Sequence, residues 1–161
     1  MLRSSKYHPA PVHRDEAGFL IHAEYEGPAG LSLEQLWVRR VTSNRFILCC
    51  IPFFARNLAL GDEVETGPAH GSRYVVRGVA RRSGHFSYRV WLGGLSQDRA
   101  DEVAADLLRT VRRMGGEFEI YSERLLAVDA GSETSAMLVV EYLETRERTG
   151  DLEWEAANTA E

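Results

Sequence analysis

The sequence predicts an α+β protein in which a β-rich N-terminal half packs on a C-terminal half with the element order β-α-β-β-α-β. Three observations lead to this prediction. Glycine and proline divide roughly the first eighty residues into short β-prone runs. Apolar and polar residues alternate from Phe86 to Leu92, which is typical of a strand. Between Ser96 and Gly116, apolar residues recur every three or four positions, which predicts an amphipathic helix.

The chain divides into four predicted segments. We expect residues 1–18 to form a mobile N-terminal arm, because they contain two prolines and show no sustained periodicity. Residues 19–82 form the β-rich half, and residues 83–157 form the C-terminal half. Residues 158–161 form a tail.

Breaker residues delimit the predicted strands of the N-terminal half. The first strand covers residues 19–25 and ends at a Gly-Pro-Ala-Gly cluster. A hairpin turns at residues 43–44, and its second arm, residues 46–51, is apolar on both faces, so we expect it to be covered on both sides. Further strands follow at 63–65 and 72–81. Short strands at this spacing predict a small barrel or a strongly curved sheet.

The C-terminal half has clear element boundaries. Ser96 is a suitable N-cap for its first helix, which a pair of glycines ends. A hairpin follows over residues 117–129, a second helix begins after Ser132, and a last strand starts near Leu152. This order is typical of the ferredoxin-like arrangement. In that arrangement both helices cover one face of a four-stranded antiparallel sheet, and the first strand lies between the third and the fourth.

The opposite face of this sheet carries polar and aromatic residues, namely Ser87, Arg89, Trp91, Glu119 and Tyr121. If the predicted strand order is correct, Arg89 lies near Glu153 or Glu155 on that face. The face is then either the place where the N-terminal half docks or a binding surface. We expect a homodimer if it is not covered within the chain.

Composition excludes several classes of function. The chain has 161 residues, 44% of them hydrophobic and 27% charged, as in ordinary globular proteins. It has no apolar run long enough to cross a bilayer and no apolar signal segment, so we expect a cytoplasmic location and no membrane association. The net charge of −5 disfavours nucleic acid and suits a basic protein partner.

One segment contains several groups capable of chemistry. Ser83, His85, Ser87 and Tyr88 suggest a hydrolase, but no nucleophile elbow surrounds the serine and no acid has a fixed spacing from the histidine. We therefore interpret the segment as a turn followed by a strand, with ligand contact as the alternative, and assign no catalytic residue. The candidates for binding a ligand or partner are Ser83, His85, Ser87, Tyr88, Arg89, Trp91, Glu119 and Tyr121.

Metal and thiol chemistry are not expected. Cys49 and Cys50 are neighbours in an apolar run, so their side chains point to opposite faces of a strand and cannot readily form a disulfide. We expect both to be buried thiols. The five histidines lack zinc-binding spacing, and the glycine pairs lack a nucleotide-binding motif, so we expect no metal and no cofactor.

Several stretches resemble an uncharacterised bacterial family, domain of unknown function 4265. They are Leu36-Trp37-Val38, Ile51-Pro52-Phe53-Phe54, the segment 58–64, and Ser83-Gly84-His85 through Arg89-Val90. The similarity covers roughly residues 30–155. The resemblance implies no established activity, so no functional residue is carried over from it.

Two functions remain after these exclusions. We favour a non-enzymatic protein-binding module of the bacterial cytosol, of the immunity-protein type that neutralises a toxin or enzyme. The alternative is a small-molecule-binding protein or small enzyme with a site between the halves near His85, Tyr88 and Arg89. A concave pocket at His85 with a carboxylate in reach favours an enzyme, whereas an acidic patch with exposed aromatic residues favours a protein partner.

Overall fold

The computed structural model describes residues 6–158 and contains two sheets and two helices in that range. The N-terminal strands are β1 (Phe19–Gly27), β2 (Gly30–Arg40), β3 (Arg45–Leu48), β4 (Glu63–Ala69) and β5 (Ser72–Arg81). The C-terminal elements are β6 (Phe86–Trp91), α1 (Gln97–Arg113), β7 (Glu117–Ile120), β8 (Leu125–Ala130), α2 (Glu133–Arg148) and β9 (Glu153–Ala156). The protein is therefore a mixture of α and β elements, as predicted.

The five N-terminal strands form a closed barrel. Neighbouring strands are antiparallel, and β1 meets β5 in parallel at His22 and Val75 to complete the closure. Of the two predicted alternatives, the barrel is the one observed. Its interior is apolar because alternate residues of each strand point inward. The buried interior residues include Ile21, Ala23, Leu36, Val38, Phe46, Leu48 and Val64.

Strand β3 is shorter than predicted. The sequence analysis extends it to Ile51, but pairing with β2 ends at Leu48. From there the chain leaves the barrel, and residues 49–62 form an irregular connection that crosses to the second sheet. Pro52 cannot donate a backbone hydrogen bond, which is consistent with the end of regular pairing. We call residues 49–62 the connecting segment.

The second sheet has the strand order β7-β8-β6-β9 with antiparallel neighbours. Strand β6 thus lies between β8 and β9, in the position predicted for the first strand of this half. Arg89 pairs in register with Glu155, one of the two glutamates that the sequence analysis expected near it. Both helices contribute to one apolar core with the same face of the sheet, where Leu107 and Val139 pack with Val90 and Val128.

Both helices begin and end at the expected signals. The side chains of Ser96 and Ser132 are N-caps that accept hydrogen bonds from backbone amides of the first turn. Helix α1 ends before Gly115, which has φ of +79°, a conformation that glycine adopts without strain. Neither helix within residues 6–158 is long and apolar enough to span a bilayer.

The connecting segment covers the sheet face that lies opposite the helices. Ile51, Phe53 and Leu60 pack with Ala127 of β8 in a second, smaller apolar cluster between the halves. Of the two roles that the sequence analysis left open for this face, the docking of the N-terminal half is the one observed.

The terminal segments are more ordered than expected. The backbone of Lys6 pairs with β2, and His8 is buried, so the prediction of a mobile arm is wrong for residues 6–18. Residues 1–5 of the predicted arm lie outside the described range. Asn158, assigned to the tail, is buried and bonds to β6, while residues 159–161 lie outside that range.

Candidate functional site

A buried cluster of three ionisable side chains joins the two halves. His8 of the N-terminal segment lies between Glu34 of β2 and Glu119 of β7. Its Nε2 is 2.6 Å from Oε2 of Glu34, and its Nδ1 is 2.7 Å from Oε1 of Glu119. The imidazole also stacks on the ring of Phe53, with 4.5 Å between centroids. One histidine therefore connects the arm, the barrel, the connecting segment and the second sheet.

Backbone amides of the connecting segment complete this cluster. The carboxylate of Glu34 accepts hydrogen bonds from the amides of Phe53, Phe54 and Ala55, at 2.7 to 3.0 Å. Glu119 accepts a hydrogen bond from the amide of Ile51. Buried carboxylates are stable only when their oxygens have such partners.

The cluster changes the protonation of its members. Burial opposes a charge on His8, but the hydrogen bonds and negative charges of Glu119 and Glu34 outweigh it and raise the pKa of His8 to about 9. Burial alone would raise the pKa of Glu34, yet the bonds from His8 and the amides lower it. Burial raises the pKa of Glu119 despite the same histidine. At neutral pH the histidine is therefore a cation held by carboxylates.

This cluster is closed to solvent. The side chain of His8 has no exposed surface, and those of Glu34 and Glu119 have at most 1%. A substrate cannot reach groups with so little exposure without opening the interface. The sequence analysis selected Glu119 as a binding candidate, and the structure places it inside this cluster.

His85 forms a second ion pair with a carboxylate. Its Nδ1 lies 2.9 Å from both carboxylate oxygens of Asp129, which is buried on β8. The hydrogen bond to Asp129 outweighs partial burial and raises the pKa of His85. The side chain of His85 is 29% exposed, so one edge of the ring reaches solvent. Asp129 is thus the carboxylate partner of His85, which no spacing in the sequence indicated.

The hydroxyl groups of the two candidate serines near His85 do not hydrogen-bond to its ring. Ser83 Oγ donates to the carbonyl of Leu60 at 2.7 Å, and its amide donates to Asp62 at 2.8 Å. Ser87 is fully buried, and its Oγ has no hydrogen-bond partner within the described range. Neither hydroxyl is therefore bonded to the ring of His85.

Three further candidates lie on the face of the sheet opposite the helices. Arg89 is buried and binds Glu155 at 3.3 Å and the carbonyl of Ala55 at 2.5 Å, so it links the halves. Tyr121 packs edge-on against Phe54, with ring centroids 4.9 Å apart. Trp91 is 46% exposed at the end of β6. These residues share the face that the connecting segment covers.

Tyr88 lies on the opposite face, so the predicted grouping of Tyr88 with His85 and Arg89 is wrong. Its ring belongs to the core beneath the helices and meets Trp154 edge-on at 5.9 Å. The reason is the period of a strand, because Tyr88 is adjacent to Arg89 and must point the other way.

An open apolar groove lies between β6 and α2, and Tyr88 forms part of it. The groove has a volume of about 510 Å³. Its apolar residues are Phe86, Tyr88, Ala136, Met137 and Val140, and its charged residues are Glu133, Glu141 and Glu144. Met137 is 74% exposed, and neighbouring Leu138 is 44% exposed. We call this surface the α2 groove.

The composition of the α2 groove is unusual for a solvated helix. Most large apolar side chains on a surface are isolated. Met137, in contrast, is exposed beside the half-buried Phe86 and Val140, above a floor of buried Tyr88 and Ala136. All of its charged residues are acidic, and neither arginine nor lysine lines it. This combination of apolar floor and acidic rim is suited to a partner that presents apolar and basic groups together.

Two further kinds of group remain to be placed, the cysteines and the residue types that bind metal ions. Cys49 and Cys50 are buried free thiols, as predicted, and burial raises the pKa of both. Between Lys6 and Asn158, no three His, Cys, Asp or Glu side chains are placed to hold a metal ion.

Comparison with known proteins identifies the family. The model of Domain of unknown function (DUF4265) matches residues 34–154, so the chain belongs to this family. A solved structure, described as a novel crystal structure of a hypothetical protein from Neisseria gonorrhoeae, is similar with a TM-score of 0.72 and 19% identity. The match covers 86% of this chain and 93% of that one, and at this identity it shows the fold alone. No curated protein matches.

Sequence reasoning missed His8, Glu34 and Asp129. Glu34 could have been found, because it occupies an inward position in line with Leu36 and Val38 of β2. A charged residue in such a position needs a buried partner. His8 carries no comparable signal, since it lies among prolines in a segment without periodicity.

Proposed function

We propose that this protein is a non-enzymatic protein-binding module of the bacterial cytosol, and that it binds a basic partner through the α2 groove. The observation that carries the proposal is an apolar groove flanked by three glutamates, with the side chain of Met137 74% exposed at its surface. Exposed apolar patches of this kind mark interaction sites more often than solvated surfaces do.

The rim determines which partner fits. A second copy of this chain would bring the same glutamates against one another around a two-fold axis, and like charges repel. A basic segment with an apolar stripe, such as an amphipathic helix, would instead place cations beside Glu141 and Glu144 and bury Met137. The overall charge of −5 adds long-range attraction for such a partner.

The immunity-protein type is the particular class that we propose. Proteins of this type neutralise a toxin or enzyme by occupying its surface, and nucleic-acid-directed toxins present basic surfaces.

In the same proposal, the C-terminal half is a ferredoxin-like module. The order β7-β8-β6-β9 and the shared core of the two helices support it, and the module would present α2 to the partner.

A binding titration tests the proposal. The probe is a fluorescent amphipathic helical peptide with a leucine stripe flanked by lysines, and its anisotropy is followed at low and moderate salt. We expect Glu141→Lys to weaken binding about tenfold, because it replaces an attractive charge by a repulsive one. The matched control is Glu123→Lys, which changes an exposed residue outside the groove and leaves binding within about twofold.

Equal effects of the two charge reversals would contradict the proposal, as would the absence of peptide binding. A photo-reactive residue at Met137 then identifies the natural partner, since cross-linking at that position requires contact with the groove. The immunity-type role requires in addition that the captured partner be a toxin or enzyme that this protein inhibits.

A second candidate function, a small enzyme, is supported by one observation. The partly exposed ring of His85 is oriented by Asp129, which is the arrangement of a general base. The serines beside it do not supply a nucleophile, since one is bonded to a carbonyl and the other is fully buried. Ester hydrolysis that is lost in His85→Gln would favour this candidate over a binding module.

A further inference from the structure

A pocket lies on the sheet face opposite the α2 groove, at the edge of the connecting segment. Its volume is about 290 Å³. Phe53 and Phe54 of the connecting segment form one side, and Trp91 of β6 lies on the sheet side. Glu153 and Glu155 of β9 also line it. We call it the Trp91 pocket.

The indole of Trp91 has a defined position although it is 46% exposed. It lies directly against the backbone of Gly93, where a Cβ atom would overlap Nε1 and neighbouring ring atoms. Only glycine leaves this space free. An exposed tryptophan held in this way presents an ordered aromatic surface, which lowers the entropy lost when a ligand binds.

The aromatic rings opposite Trp91 are also held in place. Phe54 stacks on Tyr25 with 5.0 Å between ring centroids and meets Tyr121 edge-on at 4.9 Å. Phe53 is almost fully buried and stacks on His8. The walls of the pocket are thus part of the same aromatic cluster that joins the halves.

The charges in the pocket favour a cation. Arg89 also lines the pocket, but its charge is paired with Glu155 at 3.3 Å, and Arg56 lies 3.4 Å from the same carboxylate. Glu153 lies opposite Trp91 in the strand register, is exposed, and has no ion pair within residues 6–158. An unneutralised carboxylate therefore lies beside the exposed indole.

We propose that the Trp91 pocket binds an organic cation, an alkylammonium or quaternary ammonium group, between Trp91 and Phe54 with Glu153 as its counter-ion. The faces of aromatic rings attract cations, and tryptophan does so most strongly. The carboxylate adds charge complementarity, while the apolar walls accept the methyl or methylene groups of the ligand. This site goes beyond the proposed function, because the α2 groove lies on the other side of the sheet.

The cation could belong to a free small molecule or to a lysine side chain of a partner. The probes are therefore choline and N-acetyl-lysine methylamide. The control for charge is 3,3-dimethylbutan-1-ol, which has the shape of choline without its charge. Binding is followed by fluorine NMR of protein labelled with 5-fluorotryptophan, and Trp91→Phe assigns the resonance of Trp91.

We expect choline or the lysine derivative to shift the Trp91 resonance saturably and to bind about tenfold more tightly than the neutral alcohol. The tighter of the two cations identifies the source. Glu153→Gln weakens binding several-fold, and Gly93→Ala abolishes it by displacing the indole. Glu123→Gln, which removes an exposed charge elsewhere, leaves binding unchanged.

The proposal is overturned if neither cation gives a saturable shift at tens of millimolar, or if the neutral alcohol binds as tightly. Equal weakening by Glu153→Gln and Glu123→Gln would overturn the role of the counter-ion. Spectra of Gly93→Ala with native dispersion show that the variant is folded. If Gly93→Ala fails to fold, the comparison of Glu153→Gln with Glu123→Gln still tests the site.

Discussion

His8 and Glu34 share a hydrogen bond of 2.6 Å in the interior, where neither side chain has exposed surface. The pair is extended by Glu119, which binds the other nitrogen of the same ring at 2.7 Å. The residue that completes the contact between barrel and sheet therefore comes from a segment without regular secondary structure.

Replacing His8 by glutamine should destabilise the protein strongly. Glutamine removes the positive charge between two buried carboxylates, and breaking such a pair costs roughly 3–5 kcal/mol. Urea denaturation measures the change in the free energy of unfolding. The control is His13→Ala, because His13 is 43% exposed and lies 3.7 Å from the exposed Glu16. We expect that change to cost about 1 kcal/mol or less. Similar losses for both variants would show that the buried cluster contributes no special stability.

Stability should fall with rising pH between about 6.5 and 9. The pKa of His8 is raised from 6.5 to about 9 in the folded protein, so folding favours the protonated form. The stabilisation that His8 gives the folded protein is complete below pH 6.5. It declines above that value and is lost above about pH 9. The loss is about 3 kcal/mol at most.

Denaturation curves across this pH range check the prediction for His8. The matched variant is His8→Gln. Its free energy of unfolding should depend less on pH than that of the native protein, because the difference between the two pH profiles is the contribution of His8. Parallel curves for the two proteins would rule out this origin of the pH dependence.

Asp129→Asn should lower the pKa of His85. The hydrogen bond and charge of Asp129 raise this pKa in the native protein, whereas burial opposes the charged imidazole. With the carboxylate removed, burial dominates, and the pKa should drop towards or below its ordinary value. Proton NMR titration of the His85 ring measures the change, and an unchanged value would show that Asp129 does not control it.

Gly116→Ala should destabilise the junction of α1 and β7. A Cβ at this position would lie 2.5 Å from the carbonyl oxygen of Asp129 and 2.8 Å from a methyl of Val111. Relieving such overlap costs roughly 1–3 kcal/mol. Gly78→Ala is the comparison, because a Cβ there meets nothing within 4 Å, and its thermal midpoint should be equal to or above that of the native protein. A midpoint for Gly116→Ala as high as that of Gly78→Ala would contradict the packing described.

Met137→Glu should leave stability nearly unchanged while it removes peptide binding to the α2 groove. Met137 is 74% exposed, and surface changes of this kind usually alter the free energy of unfolding by less than about 0.5 kcal/mol. Val139→Ala, at a fully buried position of the same helix, should instead destabilise the protein. Thermal melts and anisotropy titrations separate the two effects. A large stability loss in Met137→Glu would mean that this side chain belongs to the core.

The C-terminal half was more predictable than the N-terminal half because its signals are local. Ser96 and Gly115 delimit α1 through capping chemistry that depends only on neighbouring residues. The predicted strand order placed Arg89 near Glu153 or Glu155, and the structure pairs it with Glu155. Strand alternation also predicted that Arg89 and Glu119 share a face, although both proved to be buried.

The contact between the halves could not be predicted in the same way. The connecting segment has no periodicity, and its amides bind Glu34 through backbone groups that any sequence possesses. The α2 groove was also missed. Its apolar residues look like an ordinary core stripe until the structure shows that Met137 is exposed.

The position of His8 in the chain has a consequence for the order of assembly. During synthesis the barrel residues emerge before β7 does, and His8 and Glu119 are separated by 111 positions. A nascent chain can therefore form the pair with Glu34 while the second carboxylate is still to be made. His8 thus leaves the ribosome well before Glu119, and it reaches its final environment only when the second sheet has formed.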